Sequence, residues 1–240
     1  MTTTFDDLRA LMINCSLQPR PEDSHTRRLL ARAAGIMRSQ GVSVEIVHAR
    51  EYHIGFGMVK DAGTTRGVED EWPGLMERIL AADIFVLGTP IWLGVKSSVA
   101  TLVIERMYAY SGDRNDKGQW LYYGKAAGCV VTGNEDGIKA CARDLLYALQ
   151  HIGYTIPPQA DCGWIGEAGP GPSYGDVPDD LATPVGYDNE FTLRNTTFMA
   201  WNLMHMARML KDQGGLPAVG NVPDAWRDVA NASEQDPDAF

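Results

Sequence analysis

The chain has 240 residues, of which 45% are hydrophobic and 22% are charged, and its formal net charge is -10 at pH 7. This composition is typical of a globular protein with a substantial core. The negative charge argues against DNA or RNA as a partner, because phosphate binding needs clustered lysines and arginines. No apolar run is long enough to span a bilayer, and the start MTTTFDDLRALMINCS lacks the basic segment of a signal peptide. We therefore expect a cytoplasmic protein.

Apolar strand patterns alternate with helical patterns along the first two thirds of the chain. Strands are predicted at 8–15, 42–48, 84–88, 126–132 and 155–164, with helices at 29–37, 72–80, 99–110 and 138–152 between them. This alternation predicts an α/β fold, a doubly wound parallel five-stranded sheet with helices on both faces. The first, third and fourth strands are the most apolar and are expected at the centre, which gives the order 2-1-3-4-5.

The C-terminal third follows a different pattern. Residues 166–187 are rich in Gly, Pro and Asp and are expected to be functional or mobile. Trp164, Tyr174 and Tyr187 flank this stretch and either cover a substrate or pack locally or at an interface. An added C-terminal helix is predicted at 189–210, and its wide apolar arc indicates packing on the domain or on a second subunit. We expect one domain over 1–216 and a weakly ordered acidic tail over 217–240.

The four cysteines stand in apolar surroundings without a C-x-x-C pair. We expect them to be small buried hydrophobes rather than ligands of a metal or an iron–sulfur cluster. The histidines show no i, i+4 pairing that would indicate a metal site on a helix.

Three loops follow the first, third and fourth strands, at the edge of the sheet where ligands bind in open α/β folds. The loop 16–26 carries hydroxyls at a helix start, which favours a phosphate site, although Ser24 is equally suited to be only the helix N-cap. The turn 89–94 carries Trp92, which either lines a site or is a core tryptophan. The loop 132–137 either completes the site or is a plain turn capped by Asn134 or Asp136. Together the loops predict a phosphate end and a flat, aromatic-lined end in one crevice.

Familiar catalytic and nucleotide motifs are missing from the sequence. There is no G-x-G-x-x-G after the first strand, no P-loop and no G-x-S-x-G elbow. No pair of carboxylates falls at a convincing shared site. The missing acid–base machinery points to a cofactor that supplies its own reactivity.

The three loops carry N-C-S followed by S-H-T, then G-T-P-I-W-L-G followed by S-S, then T-G-N-E-D-G. With these motifs the chain resembles, over residues 8–165, the flavodoxin-like NAD(P)H-dependent FMN reductases, which include flavin domains of the iron–sulfur flavoprotein type. The resemblance implies that the FMN phosphate is held by Ser16, Ser24, His25 and Thr26. It implies that the isoalloxazine lies along Thr89, Pro90, Ile91, Trp92, Leu93 and Gly94. Thr132, Gly133, Asn134 and Gly137 would complete the pocket.

Two positions depart from that family. His25 stands where an asparagine is usual, so a histidine is expected near the phosphate. Residues 51–83 contain no cysteine, so the cysteine cluster of the iron–sulfur branch is expected to be absent.

The resemblance also implies a function. A hydride would pass from NAD(P)H through bound FMN to a quinone, a free flavin or a similar small-molecule electron acceptor, with no side chain acting as catalytic acid or base. The alternatives are a non-enzymatic electron carrier of the flavodoxin type and a flavin-binding module without turnover. A homo-oligomer, a dimer or a tetramer, is expected from the same resemblance.

Overall fold

The structure is a computed structural model that describes residues 4–169 and 171–234. These described residues form eight strands: β1 (Arg9–Asn14), β2 (Ser43–His48), β3 (Thr64–Thr65), β4 (Val68–Glu69), β5 (Ile84–Trp92), β6 (Val95–Lys96), β7 (Ala126–Gly133) and β8 (Asp161–Ile165). The same part of the chain forms six α-helices: α1 (His25–Ser39), α2 (Trp72–Ala81), α3 (Ser98–Tyr108), α4 (Ile138–Ile152), α5 (Glu190–Asp212) and α6 (Trp226–Glu234).

The main sheet has the order β2-β1-β5-β7-β8, and these five strands are parallel. This confirms the predicted order 2-1-3-4-5, since β5, β7 and β8 are the third, fourth and fifth long strands. The register places Asn14 beside His48 and Gly88, and Pro90 beside Thr132. The carboxyl ends of the strands therefore lie along one edge, and the loops that leave them share that edge.

The sheet is covered on both faces. Helices α2, α3 and α4 pack on one face, and α1 and α5 pack on the other. Strands β1, β5 and β7 are almost fully buried, as their unbroken apolar sequences predict. All four cysteines are buried and free, which confirms the expectation drawn from their apolar surroundings.

The third predicted strand does not end at Gly88 but continues to Trp92 as β5. Gly88 marks a close approach rather than a turn, because a Cβ there would lie 2.6 Å from Cδ1 of Leu30 on α1. The turn lies at Leu93 and Gly94, whose φ angles of 52° and 76° close a two-residue hairpin between β5 and β6.

The start of the last strand also differs from expectation. β8 begins at Asp161 rather than at 155, where Thr155 forms only an isolated bridge to Ala126. Pro157 and Pro158 explain the gap, since proline donates no ladder hydrogen bond. Residues 226–234, inside the predicted weakly ordered tail, form α6. The tail's last part, 235–240, lies outside the described residues.

Helix α5 packs within the domain, against α1 and β8, and buries one stripe that includes Met199, Leu203 and Ala207. Phe191 and Phe198 on the same helix remain exposed. Across residues 4–169 and 171–234, we find no helix with the length and apolar character needed to traverse a lipid bilayer.

Candidate functional site

A cavity of about 660 Å³ opens at the carboxyl edge of the sheet. It lies among the loops that follow β1, β5, β7 and β8. Its lining comprises Ser16, Leu17, Gln18, His25, Thr26, Pro90, Ile91, Trp92, Leu93, Thr132, Gly133, Asn134, Glu135, Trp164, Ala168, Gly169, Gly171, Ser173 and Tyr174. The predicted convergence of three loops on one crevice is therefore present in the fold.

The structure brings most of the predicted site residues to this lining and leaves four outside it. Those in the lining are Ser16, His25, Thr26, Pro90, Ile91, Trp92, Leu93, Thr132, Gly133 and Asn134. Those outside are Ser24, Thr89, Gly94 and Gly137, and each of these four has a structural role next to the cavity.

Ser24 is the N-cap of α1, because its Oγ accepts a hydrogen bond from the N–H of Arg27 at 3.1 Å. The same hydroxyl donates to Oδ1 of Asn14 at 3.1 Å. Ser24 is buried and its hydroxyl makes both bonds, so it is already satisfied inside the protein. Of the two alternatives left open by the sequence, the structure favours the cap.

Asn14, at the end of β1, organises the first loop. Its Oδ1 also accepts the N–H of Ser16 at 3.3 Å, and its side-chain amide donates to Nδ1 of His48 at 2.9 Å. His48 must then carry its proton on Nε2, which donates to the carbonyl of Gln18 at 2.9 Å. This chain of bonds fixes the loop that presents Ser16 and Gln18 to the cavity.

The start of α1 forms one end of the cavity. Thr26 is buried, and its Oγ1 lies 2.8 Å from Oγ1 of Thr132 at the end of β7. The first N–H groups of a helix have no intrahelical acceptor, and the helix dipole adds partial positive charge there. This end of the cavity can hold an anion through hydroxyls and backbone N–H groups, with His25 beside it.

The β5–β6 hairpin forms the opposite wall. Trp92 is 51% exposed and Leu93 is 91% exposed, so Trp92 lies at the cavity and the core-tryptophan alternative is wrong. Thr89 is buried beneath the hairpin, where its Oγ1 accepts the N–H of Ser97 at 3.0 Å. Thr89 therefore braces the hairpin against the start of α3.

The hairpin also touches the loop after β7. The carboxylate of Glu135 accepts the N–H of Leu93 at 2.8 Å. A Cβ at Gly137 would lie 2.5 Å from the carbonyl oxygen of Gly94, so only glycine permits this approach. Gly94 and Gly137 thus hold two lining loops together without facing the cavity.

The described residues of the 166–187 segment close a further side of the cavity. Asn134 donates to the carbonyls of Gly171 and Pro172 at 3.3 and 3.2 Å, and it accepts from the hydroxyl of Ser173 at 3.1 Å. The rings of Trp164 and Tyr174 lie 5.8 Å apart, and both residues are buried and reach the lining. Burial raises the pKa of Tyr174 to about 12, so its phenol is neutral at physiological pH.

Seven lining residues were not singled out from the sequence: Leu17, Gln18, Glu135, Ala168, Gly169, Gly171 and Ser173. Trp164 and Tyr174 were expected either to cover a substrate or to pack locally or at an interface, and the structure places both in the lining. Leu17, Gln18 and Glu135 lie inside the predicted loops, so position at the carboxyl edge was their available signal. The residues from 168 to 174 carry no periodic signal that places them over a cavity.

The arrangement favours binding and orienting a planar anionic ligand. One end offers hydroxyls and a helix N-terminus, and the other offers Trp92, Pro90 and Ile91. Among the lining residues Glu135 is the single carboxylate, so the lining holds no pair of carboxylates. Within the described ranges no group of three or more His, Cys, Asp or Glu side chains is arranged to hold a metal ion.

The chain matches a known protein family over most of its length. The family described as NADPH-dependent FMN reductase matches residues 8–164. Over 210 residues the chain is 34% identical to 8-demethyl-8-aminoriboflavin-5′-phosphate synthase from Streptomyces davaonensis, a match covering 85% of this chain and 79% of that protein.

A second relative is the divalent metal cation transporter MntH from Mycobacterium bovis. The identity is 56% over 220 residues, which is 91% of this chain. The chain spans only 31% of the length of that relative. The transporter's name describes a much longer protein.

Solved structures show the same fold. The structure of RosB with bound 8-demethyl-8-formylriboflavin-5′-phosphate superposes with a TM-score of 0.75 at 30% identity, covering 97% of this chain and 89% of RosB. An oxidoreductase from Corynebacterium diphtheriae has a TM-score of 0.52 at 16% identity, covering 84% and 97% of the two chains, which shows the fold alone.

Proposed function

Because the chain belongs to the NADPH-dependent FMN reductase family, we propose that it passes a hydride from NAD(P)H, through FMN held in the carboxyl-edge cavity, to a quinone, a free flavin or a similar small acceptor. It is a flavin-dependent oxidoreductase with FMN as cofactor and NAD(P)H as reductant. The observation that carries the site assignment is that an anion-binding end and an aromatic end share one cavity.

The residues of the cavity fit FMN in size and in chemistry. A volume of about 660 Å³ falls within the range of roughly 300–1,000 Å³ common for small-molecule sites. The hydroxyls of Thr26 and Ser16 and the start of α1 would hold the phosphate. Trp92 and Ile91 would flank the ring, and Thr132, Gly133 and Asn134 would meet its polar edge.

FMN supplies the redox chemistry when bound, since its ring takes up a hydride and releases electrons to an acceptor. The protein's contribution would be position: the loops would hold the ring against the hairpin and leave one side for the nicotinamide and then for the acceptor. The 166–187 segment and Trp164 would exclude water from the other side. No side chain is assigned as a proton donor or acceptor.

A second candidate function follows from the relatives. The Streptomyces davaonensis relative is named as a synthase of an aminated flavin phosphate, and the RosB structure holds a formylated flavin phosphate. The similarity to RosB covers 97% of the chain, so it includes the 166–187 segment and α5, which lie beyond the region matched by the reductase family. In this candidate the flavin phosphate in the cavity is a substrate modified on its ring.

The experiment that separates these functions is a turnover assay on the FMN-loaded protein with NADH or NADPH and a benzoquinone. We expect acceptor-dependent oxidation of the nicotinamide and recovery of FMN with unchanged mass. A flavin recovered with altered mass would support the second candidate. Slow nicotinamide oxidation with fast electron exchange to a redox protein would instead support a non-enzymatic carrier.

A pair of isosteric variants tests the phosphate end of the site. Gln18 is exposed and lies in the cavity lining, so Gln18→Glu adds a negative charge near the proposed phosphate. We expect the dissociation constant of FMN to rise about tenfold, because the added carboxylate would repel the negatively charged phosphate. Gln213→Glu, in an exposed position after α5, is the matched control and should leave FMN binding unchanged. Equal FMN affinity of the two variants would contradict the assignment.

A further inference from the structure

The 166–187 segment is attached to the cavity by two separate sets of contacts. The first is the Asn134 side chain, whose amide and carbonyl bind Gly171, Pro172 and Ser173. This side chain belongs to the loop after β7, on the side of the cavity assigned to the ring edge. One part of the segment is therefore fixed from the β7 side.

The second set of contacts lies at the start of α1 and centres on Asp176. One carboxylate oxygen of Asp176 accepts from Arg28 at 2.9 Å, and the other accepts the N–H of Ser173 at 2.8 Å. Nδ1 of His25 lies 3.0 Å from the carbonyl of Tyr174 and 3.6 Å from Asp176. The segment is thus fixed from the side assigned to the phosphate as well.

The carboxylate of Asp176 is ionised at neutral pH. Partial burial raises the pKa of this carboxyl, but the hydrogen bonds from Ser173 and Arg28 and the charges nearby outweigh burial and lower the pKa. An ionised acceptor makes the stronger, charge-assisted bond to Arg28.

Packing makes the docked position of the segment specific. Tyr174 is fully buried, with its ring 5.2 Å from that of Tyr187 and 5.8 Å from that of Trp164. Gly186 has a φ of 76°, and a Cβ there would lie 2.5 Å from Nε1 of Trp164. Any larger residue at position 186 would clash with Trp164 and displace the segment from its docked position.

Two of the contact residues, His25 and Asn134, are also proposed to meet the two ends of FMN. Docking of the segment and binding of FMN therefore depend on the same side chains. The exposed side of the cavity is left at the hairpin, where Leu93 is 91% exposed. Anything that reaches the ring must pass that side while the segment stays docked.

We propose that Asp176 is a positioning residue that clamps the 166–187 segment across the cavity, so that FMN is retained and the acceptor is restricted to molecules that pass the Trp92–Leu93 turn. The inference rests on the proposed function, because it assumes that FMN occupies this cavity. It adds a determinant of acceptor size outside the region matched by the reductase family.

The test compares the wild-type protein with Asp176→Ala, Asp176→Asn and the control Asp7→Ala. Asp7 also pairs with cationic side chains, Arg208 and Lys211, and these lie on α5 instead of at the cavity. Chymotrypsin cleavage at Tyr174, which is fully buried in the docked segment, reports loss of docking, and quenching of flavin fluorescence reports FMN affinity. The ratio of kcat/KM for a benzoquinone to that for a bulky anthraquinone reports acceptor selection.

For Asp176→Ala we expect about tenfold faster cleavage without flavin and about tenfold weaker FMN binding, in line with the loss of a charge-assisted bond. The kcat/KM ratio should fall toward one, because the bulky quinone gains access. Asp176→Asn should give values between those of wild type and Asp176→Ala in all three measurements, since its amide oxygen can still accept a hydrogen bond from Arg28. Asp7→Ala should match wild type in all three measurements.

The proposal would be overturned if Asp176→Ala and Asp7→Ala had the same cleavage rate, the same FMN affinity and the same ratio of kcat/KM for the two quinones. If Asp176→Ala loses its circular dichroism spectrum, the same comparison is decided by Asp176→Asn. If the wild-type protein binds no FMN, the proposed function fails. Cleavage without flavin still decides the clamp in that case, because faster cleavage supports it and equal cleavage rejects it.

Discussion

Oγ1 of Thr26 and Oγ1 of Thr132 lie 2.8 Å apart, and this bond joins the start of α1 to the end of β7 inside the cavity lining. Two hydroxyls that share one hydrogen bond keep a second hydrogen free for another acceptor. Both threonines are buried, so the cavity is the place where that acceptor can be met. The pair is suited to bind an anion without a cationic side chain.

Replacing one of these hydroxyls should weaken FMN binding. For Thr26→Val we expect a dissociation constant about tenfold higher, since a hydrogen bond to a charged group contributes about 1.5–3 kcal/mol. Thr196→Val is the matched control, because Thr196 is also buried and its Oγ1 also makes a hydrogen bond away from the cavity, donating to the carbonyl of Thr192 at 2.7 Å. Each variant should lose about 1 kcal/mol of unfolding free energy. Equal FMN affinity of the two would contradict the role given to Thr26.

Trp92 and Trp226 are both 51% exposed, which makes them a matched pair for testing the aromatic wall. Trp92→Ala should raise the FMN dissociation constant about tenfold through lost contact with the ring, while the unfolding free energy changes by less than about 1 kcal/mol. Trp226→Ala should leave FMN binding unaltered. Flavin fluorescence titration and urea denaturation measure the two effects, and weaker binding in both variants would refute a specific wall.

The sheet and its order were predictable because each long strand is a short apolar run followed by a helical pattern. Gly41 follows the end of α1 with a φ of 91°, and Ser97 caps α3; both residue types are typical of these positions. The end of β5 was mistaken because Gly88 was interpreted as a turn. Glycine is needed at position 88 because the backbone there packs closely against Leu30 of α1, and no local sequence pattern reports such a contact.

The site was predictable only where it follows from strand ends. Ser16, Trp92 and Thr132 come directly after or within strand ends, so the topology places them at one edge. The contacts that Asn134 makes with residues 171–173 join loops that are distant along the chain. A segment rich in Gly and Pro has no periodicity to indicate its partner, so sequence alone left its role open.

A substitution at Ser24 distinguishes its role as the N-cap of α1 from a role as a ligand of the FMN phosphate. Ser24→Ala should lower the unfolding free energy by about 1 kcal/mol, as loss of an N-cap does, and should change the FMN dissociation constant by less than about threefold. Ser97→Ala is the matched variant, since Ser97 caps α3 by accepting the N–H of Ala100 at 3.1 Å. The two should lose similar stability in urea. A tenfold loss of FMN affinity confined to Ser24→Ala would return Ser24 to the phosphate site.

Asp70 and Arg106 form an ion pair at 2.6 Å in which neither side chain is exposed to solvent. Burial alone would raise the pKa of Asp70, but bonds from Arg106 and from the N–H groups of Gly55, Ala62 and Trp72 lower it to about 2. This lowered pKa means that the pair stabilises the fold above pH 4 or so, and that its contribution is lost as the pH falls from about 4 to about 2. The pair thereby holds the 53–71 segment against α3.

Removing one partner of that pair should be costly, because the other charge stays buried without compensation. For Asp70→Asn we expect a loss of about 3–5 kcal/mol of unfolding free energy at pH 7. Asp113→Asn is the control, since Asp113 pairs with Lys60 at the surface, where such pairs contribute about 1 kcal/mol or less. Urea denaturation at pH 7 and pH 3 measures both variants, and the difference between Asp70→Asn and wild type should shrink at the lower pH. A difference that is equal at both pH values would show that the ionised carboxylate of Asp70 is not the source of the stability.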